Sequence, residues 1–238
     1  MIQELLQDGL AALHLSDWVP PQSVKQMDRY AQLLLEKNQV MNLTAITEPE
    51  QVAQLHMLDC AALLNLADFS NRTLADVGTG AGFPGLPLKI LVPSLKVTLL
   101  DSLNKRVDWL QEVIADLQLT DVRAIHCRAE EQAQRPDFRE SFDFATARAV
   151  AALPMLAELC LPYVKPGGYF LSMKSVDSDE ELKQAERAIA LLGGKLTSVQ
   201  DYSIPGTEIR HRLISVKKIQ STPKKYPRMF AKIKKNPL

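Results

Sequence analysis

Residues 74–88 read LADVGTGAGFPGLPL. An apolar run meets Asp76, glycines follow at Gly78, Gly80, Gly82 and Gly85, and apolar residues then resume. This is the junction of a buried strand, a tight turn and a helix. Glycine reaches backbone conformations that a side chain forbids, so the turn can close sharply and approach a ligand with its backbone. Pro84 and Pro87 suit the first turn of the helix, where a missing N–H removes no hydrogen bond. A chain built on such a junction is committed to βα units, and the rest of the sequence follows that pattern.

After Thr73, strand-like runs (TLADV, KVTLL, VRAIH, FDFATA, YFLSM) alternate with helical stretches. Residues 104–119 place Val107, Leu110, Val113, Ile114 and Leu117 on one face, residues 152–161 form a shorter helix, and Leu182, Ala185, Ile189 and Leu192 recur at helical spacing until Gly193-Gly194. Alternation of this kind predicts a mostly parallel sheet covered on both faces. The last two strand-like runs, KLTSVQDYSI and HRLISVKKI, are too close for a helical crossover and should pair antiparallel. Residues 1–70 read as a helical lobe, 71–220 as the α/β domain and 221–238 as a basic C-terminal tail. Three capping boxes are expected, at Ser23 with Gln26, Thr47 with Glu50, and Ser178 with Glu181. The second opens a helix whose apolar stripe is Val52, Leu55, Leu58 and Ala62.

No run approaches the roughly 18 apolar residues of a membrane span, and the N-terminus lacks the basic and apolar regions of a signal peptide. Cys60, Cys127 and Cys160 are scattered, which points to free thiols in a reducing cytoplasm and to neither disulfides nor a metal site. The net charge of zero hides an asymmetry. Residues 209–238 hold ten Lys and Arg and no acid, leaving 18 basic against 28 acidic side chains in the rest. A basic end on an acidic body is an electrostatic footprint for a polyanion. Arg210, Arg212, Lys224, Lys225 and Arg228 are the expected RNA contacts.

The glycine turn has three readings. A phosphate-binding P-loop needs Lys and then Ser or Thr after its last glycine, whereas Leu86 and Pro87 follow Gly85. A dinucleotide fingerprint is met literally by Gly80, Gly82 and Gly85, but its first glycine should follow the strand at once. Gly78 holds that place, and counting from it puts Phe83 where the third glycine belongs. The third reading is Asp76-x-Gly78-x-Gly80-x-Gly82, which resembles the first motif of class I S-adenosylmethionine-dependent methyltransferases. In that reading the fold is Rossmann-like, with a seven-stranded sheet ending in an antiparallel hairpin. Asp101, at the tip of the next strand, can accept protons from both ribose hydroxyls, and Ala129 and Glu130 border the adenine.

Seven segments together (NLTAIT, HMLD, DVGTGAGFPGLPL, LLDSLNKRVDWL, RAEE, RAVA and YPR) resemble the RsmG (GidB) family over nearly the whole chain, from Asn42 to Pro237. The resemblance implies methylation of N7 of a guanine in 16S rRNA, in the loop near the decoding site. It implies a cytoplasmic monomer acting on that RNA or on a small-subunit particle. It also places cofactor contacts at Gly78, Phe83, Ala129, Glu130 and Arg148. Leu55 stands where the family often has arginine. The alternatives are an NAD-dependent oxidoreductase and a non-catalytic RNA-binding protein.

N7 of guanine carries a lone pair and no proton, so its attack on a sulfonium methyl needs no general base. Alignment of the two reactants alone can supply about 7–11 kcal/mol. There is no Pro-Cys pair for attack on a pyrimidine carbon. The orienting candidates are His56 and Asp59, three apart and so on one helical face, and Arg148, which follows FDFATA. For Arg148 an ion pair with Asp76 or Glu130 is the structural alternative. Lys174 could reach an RNA phosphate.

Overall fold

A computed structural model describes residues 1–238. Seven strands form one sheet: β1 (Thr73–Val77), β2 (Lys96–Asp101), β3 (Val122–His126), β4 (Phe142–Arg148), β5 (Val164–Ser175), β6 (Gly194–Ser203) and β7 (Arg210–Lys218). Their order is β3-β2-β1-β4-β5-β7-β6. β1 through β5 pair in parallel, and β7 runs antiparallel to both β5 and β6. The expected strands are all present, and the hairpin closes as its short linker requires. The order reverses between β1 and β4, and the crevice beyond their carboxyl ends is where such sheets take ligands.

The helices are α1 (Ile2–Ala12), α2 (Ser23–Asn38), α3 (Pro49–Val52), α4 (Asp59–Ala61), α5 (Gly85–Leu91), α6 (Asn104–Asp116), α7 (Ala129–Gln132), α8 (Leu153–Cys160), α9 (Asp179–Leu191) and α10 (Phe230–Lys235). A π-helical turn, Ala53–Leu58, joins α3 to α4. The apolar sides of α1, α2 and the 49–65 stretch share one core with the sheet, where Leu6, Met27, Leu34 and Leu58 cluster with Leu74, Leu86, Leu99 and Leu213. Residues on the other sheet face pack with α8 and α9, and Tyr226 and Ile233 of the last eighteen residues are buried there.

None of the three capping boxes forms; in the first and third, other partners take Ser23, Gln26 and Glu181, while the Ser178 hydroxyl is buried without a partner. Ser23 donates to the Ile90 carbonyl and Gln26 to that of Leu117. No side chain caps α3. Glu181 accepts from the Leu153 N–H and from Lys174. In the stripe of the 49–65 helix, Val52, Leu58 and Ala62 are buried but Leu55 is half-buried. The π turn interrupts the 3.6-residue period there, a feature that recurs at functional sites.

Candidate functional site

The glycine turn forms a cradle between β1 and α5. Gly78, Gly80 and Gly82 have φ of 70°, 59° and 96°. The Gly78 and Thr79 N–H groups donate to the Leu100 carbonyl at 2.9 and 3.0 Å, which ties the turn to β2. The Gly80 N–H donates to Asp101 Oδ2 at 2.9 Å, and Asp101 Oδ1 accepts from the Leu103 N–H. A Cβ on Gly80 would meet nothing within 4 Å, whereas one on Gly78 would press on Val150 at 2.8 Å. Asp76 lies beneath the turn. Its Oδ2 accepts from the Thr79 hydroxyl and the Gly85 N–H, and its buried Oδ1 has no partner. Burial pushes the Asp76 carboxyl up to about 7, against the pull of those two bonds. Open space over Gly80 beside Asp101, with an unmet acceptor beneath, fits a ligand that brings donors.

Ala129 and Glu130 open α7 after β3. The Cys127 N–H donates to the Asp101 carbonyl at 3.0 Å, so α7 starts beside the tip of β2. Glu130 is buried, and the Ala129 carbonyl accepts from the Tyr163 hydroxyl.

Arg148, at the end of β4, joins the helical segment to this edge. Its Nη1 donates to the Leu55 carbonyl and to Asp59 Oδ2, both at 3.0 Å, and its Nη2 donates to His56 Nδ1 at 2.9 Å. The ion-pair partner is therefore Asp59, and not Asp76 or Glu130, because the π turn carries Asp59 to the strand end. Phe83 underlies the group: the guanidinium carbon stands 4.8 Å from its ring centroid, and the ring stacks on His56 and Tyr30.

A guanidinium only donates, so His56 Nδ1 accepts and Nε2 carries the proton, donated to Thr44 Oγ1 at 2.8 Å. Burial, with help from the Arg148 charge, drops His56 from 6.5 to about 3. The unfolded chain thus binds a proton below pH 6.5 that the folded chain refuses. His56 contributes stability that is full above 6.5 and lost as the pH falls toward 3. We expect the stability advantage of wild type over His56→Gln to shrink across that range in urea titrations; a constant difference would contradict the assignment.

Asp59 is wholly buried. Its Oδ1 accepts from the Tyr202 hydroxyl and from His211 Nδ1, both at 2.8 Å. Burial opposes its ionisation, but the bonds from His211, Arg148 and Tyr202 outweigh burial and hold it below the usual carboxylate range. The three orienting candidates His56, Asp59 and Arg148 thus form one network, which also includes Thr44, Tyr202 and His211. The last three escaped the sequence reading. The hairpin register held the signal: Tyr202 lies opposite His211, and His211 opposite Ser175 at the carboxyl end of β5. Leu55, His56, Asp59, Arg148, Lys174 and His211 line a cavity of about 400 Å³ there. A second cavity, about 470 Å³ with Arg72, Asp143 and Tyr169, lies at the opposite edge of the sheet, away from every candidate residue.

The basic residues divide. Arg212 bonds Asp201 and Asp179, Arg228 bonds Glu158, and buried Lys218 pairs with Glu140. Arg212 and Arg228, expected as RNA contacts, are instead internal ties, since neighbouring carboxylates already occupy their guanidinium forks. Lys174 donates to the Ala151 carbonyl and to Glu181, so it pins the segment after β4 and is not free for phosphate. Arg210, Lys224, Lys225, Lys232, Lys234 and Lys235 remain exposed. Lys225 and Lys232 line a surface hollow with Glu130 and Glu131.

The chain has relatives among known proteins. The chain is similar to several solved structures at low identity. One is a SAM-dependent methyltransferase from Aquifex aeolicus (19% identical, TM-score 0.51, covering 71% of this chain and 93% of that one). Another is TYW2 of M. jannaschii in complex with AdoMet (13%, TM-score 0.53, covering 68% and 75%). At such identities the likeness establishes the fold. Sequence relatives are much nearer. A ribosomal RNA small subunit methyltransferase G of Lachnoclostridium phytofermentans is 53% identical over 90% of this chain and 89% of its own. Its namesake in Acetivibrio thermocellus is 44% identical over 100% and 97%. The family pattern described as rRNA small subunit methyltransferase G matches residues 23–212, from the start of α2 to the third residue of β7. With its glycine cradle, strand-end acid and Arg148 network all inside that span, the chain belongs to the GidB family of rRNA small subunit methyltransferases G.

Proposed function

We propose that this protein transfers the methyl group of S-adenosylmethionine to N7 of a guanine in 16S rRNA, in the loop near the decoding site, within the cytoplasm. The observation that carries the reading is the meeting of two features at one sheet edge: the glycine cradle with Asp101, and the charge-balanced Arg148 network. N7 and the loop come from the family resemblance. When bound, S-adenosylmethionine supplies an electrophilic methyl on a cationic sulfur. Gly78, Gly80, Phe83 and Asp76 would hold its amino-acid portion, Asp101 its ribose, and Ala129 and Glu130 its adenine.

The chain's own groups suit that chemistry. An isolated arginine would repel a sulfonium, but Asp59 cancels the Arg148 charge at 3.0 Å. His56 stays neutral, so no second cation forms beside it. The acceptor nitrogen has no proton to lose, and the residues need only orient it and exclude water. Mapping 7-methylguanosine in 16S rRNA from cells lacking the gene tests the reading. One such guanosine should lose its methyl group and regain it on complementation; an unchanged map would refute it.

RNA is reached through the exposed cations of the C-terminal segment, with each neutralised phosphate of a single-stranded loop contributing about 0.7 to the slope of log affinity against log salt. We expect the combined change of Lys224, Lys225, Lys232, Lys234 and Lys235 to Ala to weaken RNA binding and flatten that slope. Arg212→Ala should lower stability instead, because it strips Asp201 of its close partner and leaves only Arg210 at 3.9 Å. Equal loss of salt dependence in the two variants would contradict this division.

A further inference from the structure

The proposed reaction leaves one question open on this edge, namely how the base is chosen. Adenine and guanine both present N7 as an acceptor, so alignment on N7 cannot separate them. They differ beside N7, where guanine has the O6 acceptor and adenine the N6 amine, and at the far edge, where guanine carries N–H donors at N1 and N2 and adenine has an acceptor at N1. The first difference is read by a free donor in the acceptor cavity, the second by a fixed acceptor.

Most polar groups there are already engaged. Arg148 spends its fork on Leu55, Asp59 and His56, and Lys174 spends its ammonium on Ala151 and Glu181. His56 uses both ring nitrogens. His211 is different. Its Nδ1 lies 2.8 Å from Asp59 Oδ1, and a buried ionised carboxylate can only accept, so Nδ1 carries the proton. In the neutral ring, Nε2 is then an acceptor, and it has no partner within the protein. The Tyr202 ring meets the imidazole edge-on at 6.2 Å and fixes its plane, while the Tyr202 hydroxyl shares Asp59 Oδ1. The side chain is 31% exposed and lines the cavity of about 400 Å³. That volume lies within the roughly 300–1,000 Å³ of small-molecule sites.

We propose that His211 selects guanine: its Nε2 accepts a hydrogen bond from an N–H donor on the Watson–Crick edge of the target base, while Asp59 and Tyr202 act as positioning residues that hold the ring in the accepting tautomer. The carboxylate–imidazole pair does here what such pairs do elsewhere, fixing the tautomer and leaving the outer nitrogen for the substrate. An adenine in the same pose would set its N1 lone pair against that of Nε2. This inference rests on the proposed guanine reaction.

The test uses the full-length protein and an RNA hairpin of the target loop with guanosine, inosine (no N2 amine) or 2-aminopurine (no N1–H) at the target position. Equilibrium binding and single-turnover methyl transfer are both measured. Wild type should favour guanosine over at least one analogue by about tenfold, the worth of one hydrogen bond. His211→Ala should weaken guanosine RNA by a similar factor, leave that analogue unchanged and so erase the preference. His211→Gln, which offers a carbonyl acceptor, should restore part of it. An equal loss for all three RNAs would mean that His211 only supports Asp59 and would overturn the inference, as would no loss at all. Absence of methyl transfer by wild type to the guanosine RNA would refute the reaction itself, and the binding comparison would still decide the role of His211.

Discussion

Replacing Asp59 with alanine lowers the stability of the fold by about 3–5 kcal/mol, the usual cost of stripping one member from a buried ion pair. The size follows from what is left behind. Arg148, Tyr202 and His211 all lose their shared acceptor, a carboxylate that is itself wholly buried. A urea titration reads the loss as a lower midpoint at unchanged slope. Asp59→Asn should fall between, since its amide oxygen can serve Tyr202 or His211 but leaves Arg148 unneutralised. The double change Asp59→Leu with Arg148→Met removes both charges and should regain most of the stability, because apolar replacement of a buried pair is often neutral. It should not regain methyl transfer. Recovered transfer in that variant would show that the network is scaffolding only.

The second large effect separates two glycines two residues apart. Gly82→Ala puts a Cβ 2.6 Å from the Tyr30 hydroxyl, 2.7 Å from Leu86 and 3.0 Å from Leu110, at a φ of 96°. Strain and overpacking together cost roughly 2–5 kcal/mol, so this variant should unfold early or fail to accumulate. Gly80→Ala meets open space, at a φ of 59° in the left-handed region. It pays about 1–2 kcal/mol of backbone strain and should remain folded. Its methyl group enters the cradle beside Asp101, so affinity for S-adenosylmethionine should drop by tenfold or more, about 1.4 kcal/mol. Thermal melting and calorimetry on the pair read the two effects separately. Gly80→Ala with undiminished affinity would put the cofactor elsewhere.

Much of the architecture was legible in the sequence because it rests on local rules. Strand runs of alternating βα units, the antiparallel hairpin forced by the short linker Pro205–Glu208, and the positive-φ turn after Asp76 each follow from a few neighbouring residues. What the sequence hid depends on contacts distant in the chain. Ser23, Gln26 and Glu181 satisfy the capping pattern, yet the carbonyls of Ile90 and Leu117 and the N–H of Leu153, all distant in sequence, claim them. Ten cations near the C-terminus read as one basic arm, yet Arg212, Lys218 and Arg228 close on carboxylates and the segment packs down through Tyr226 and Ile233. The candidate site shows the same split. Asp76, Asp101 and the glycines stand in one motif and its neighbouring strand end. His211 is separated from Asp59 by 152 positions and meets it only because β7 lies beside β5.

The central claim is that the bend between β1 and α5 receives S-adenosylmethionine, with Asp101 on its ribose. Titration calorimetry on wild type and Asp101→Ala, with S-adenosylmethionine and NAD as separate ligands, addresses it most directly. Heat from the first ligand alone, strongly reduced by the substitution, is the predicted outcome. Binding of NAD with none of S-adenosylmethionine would contradict the account.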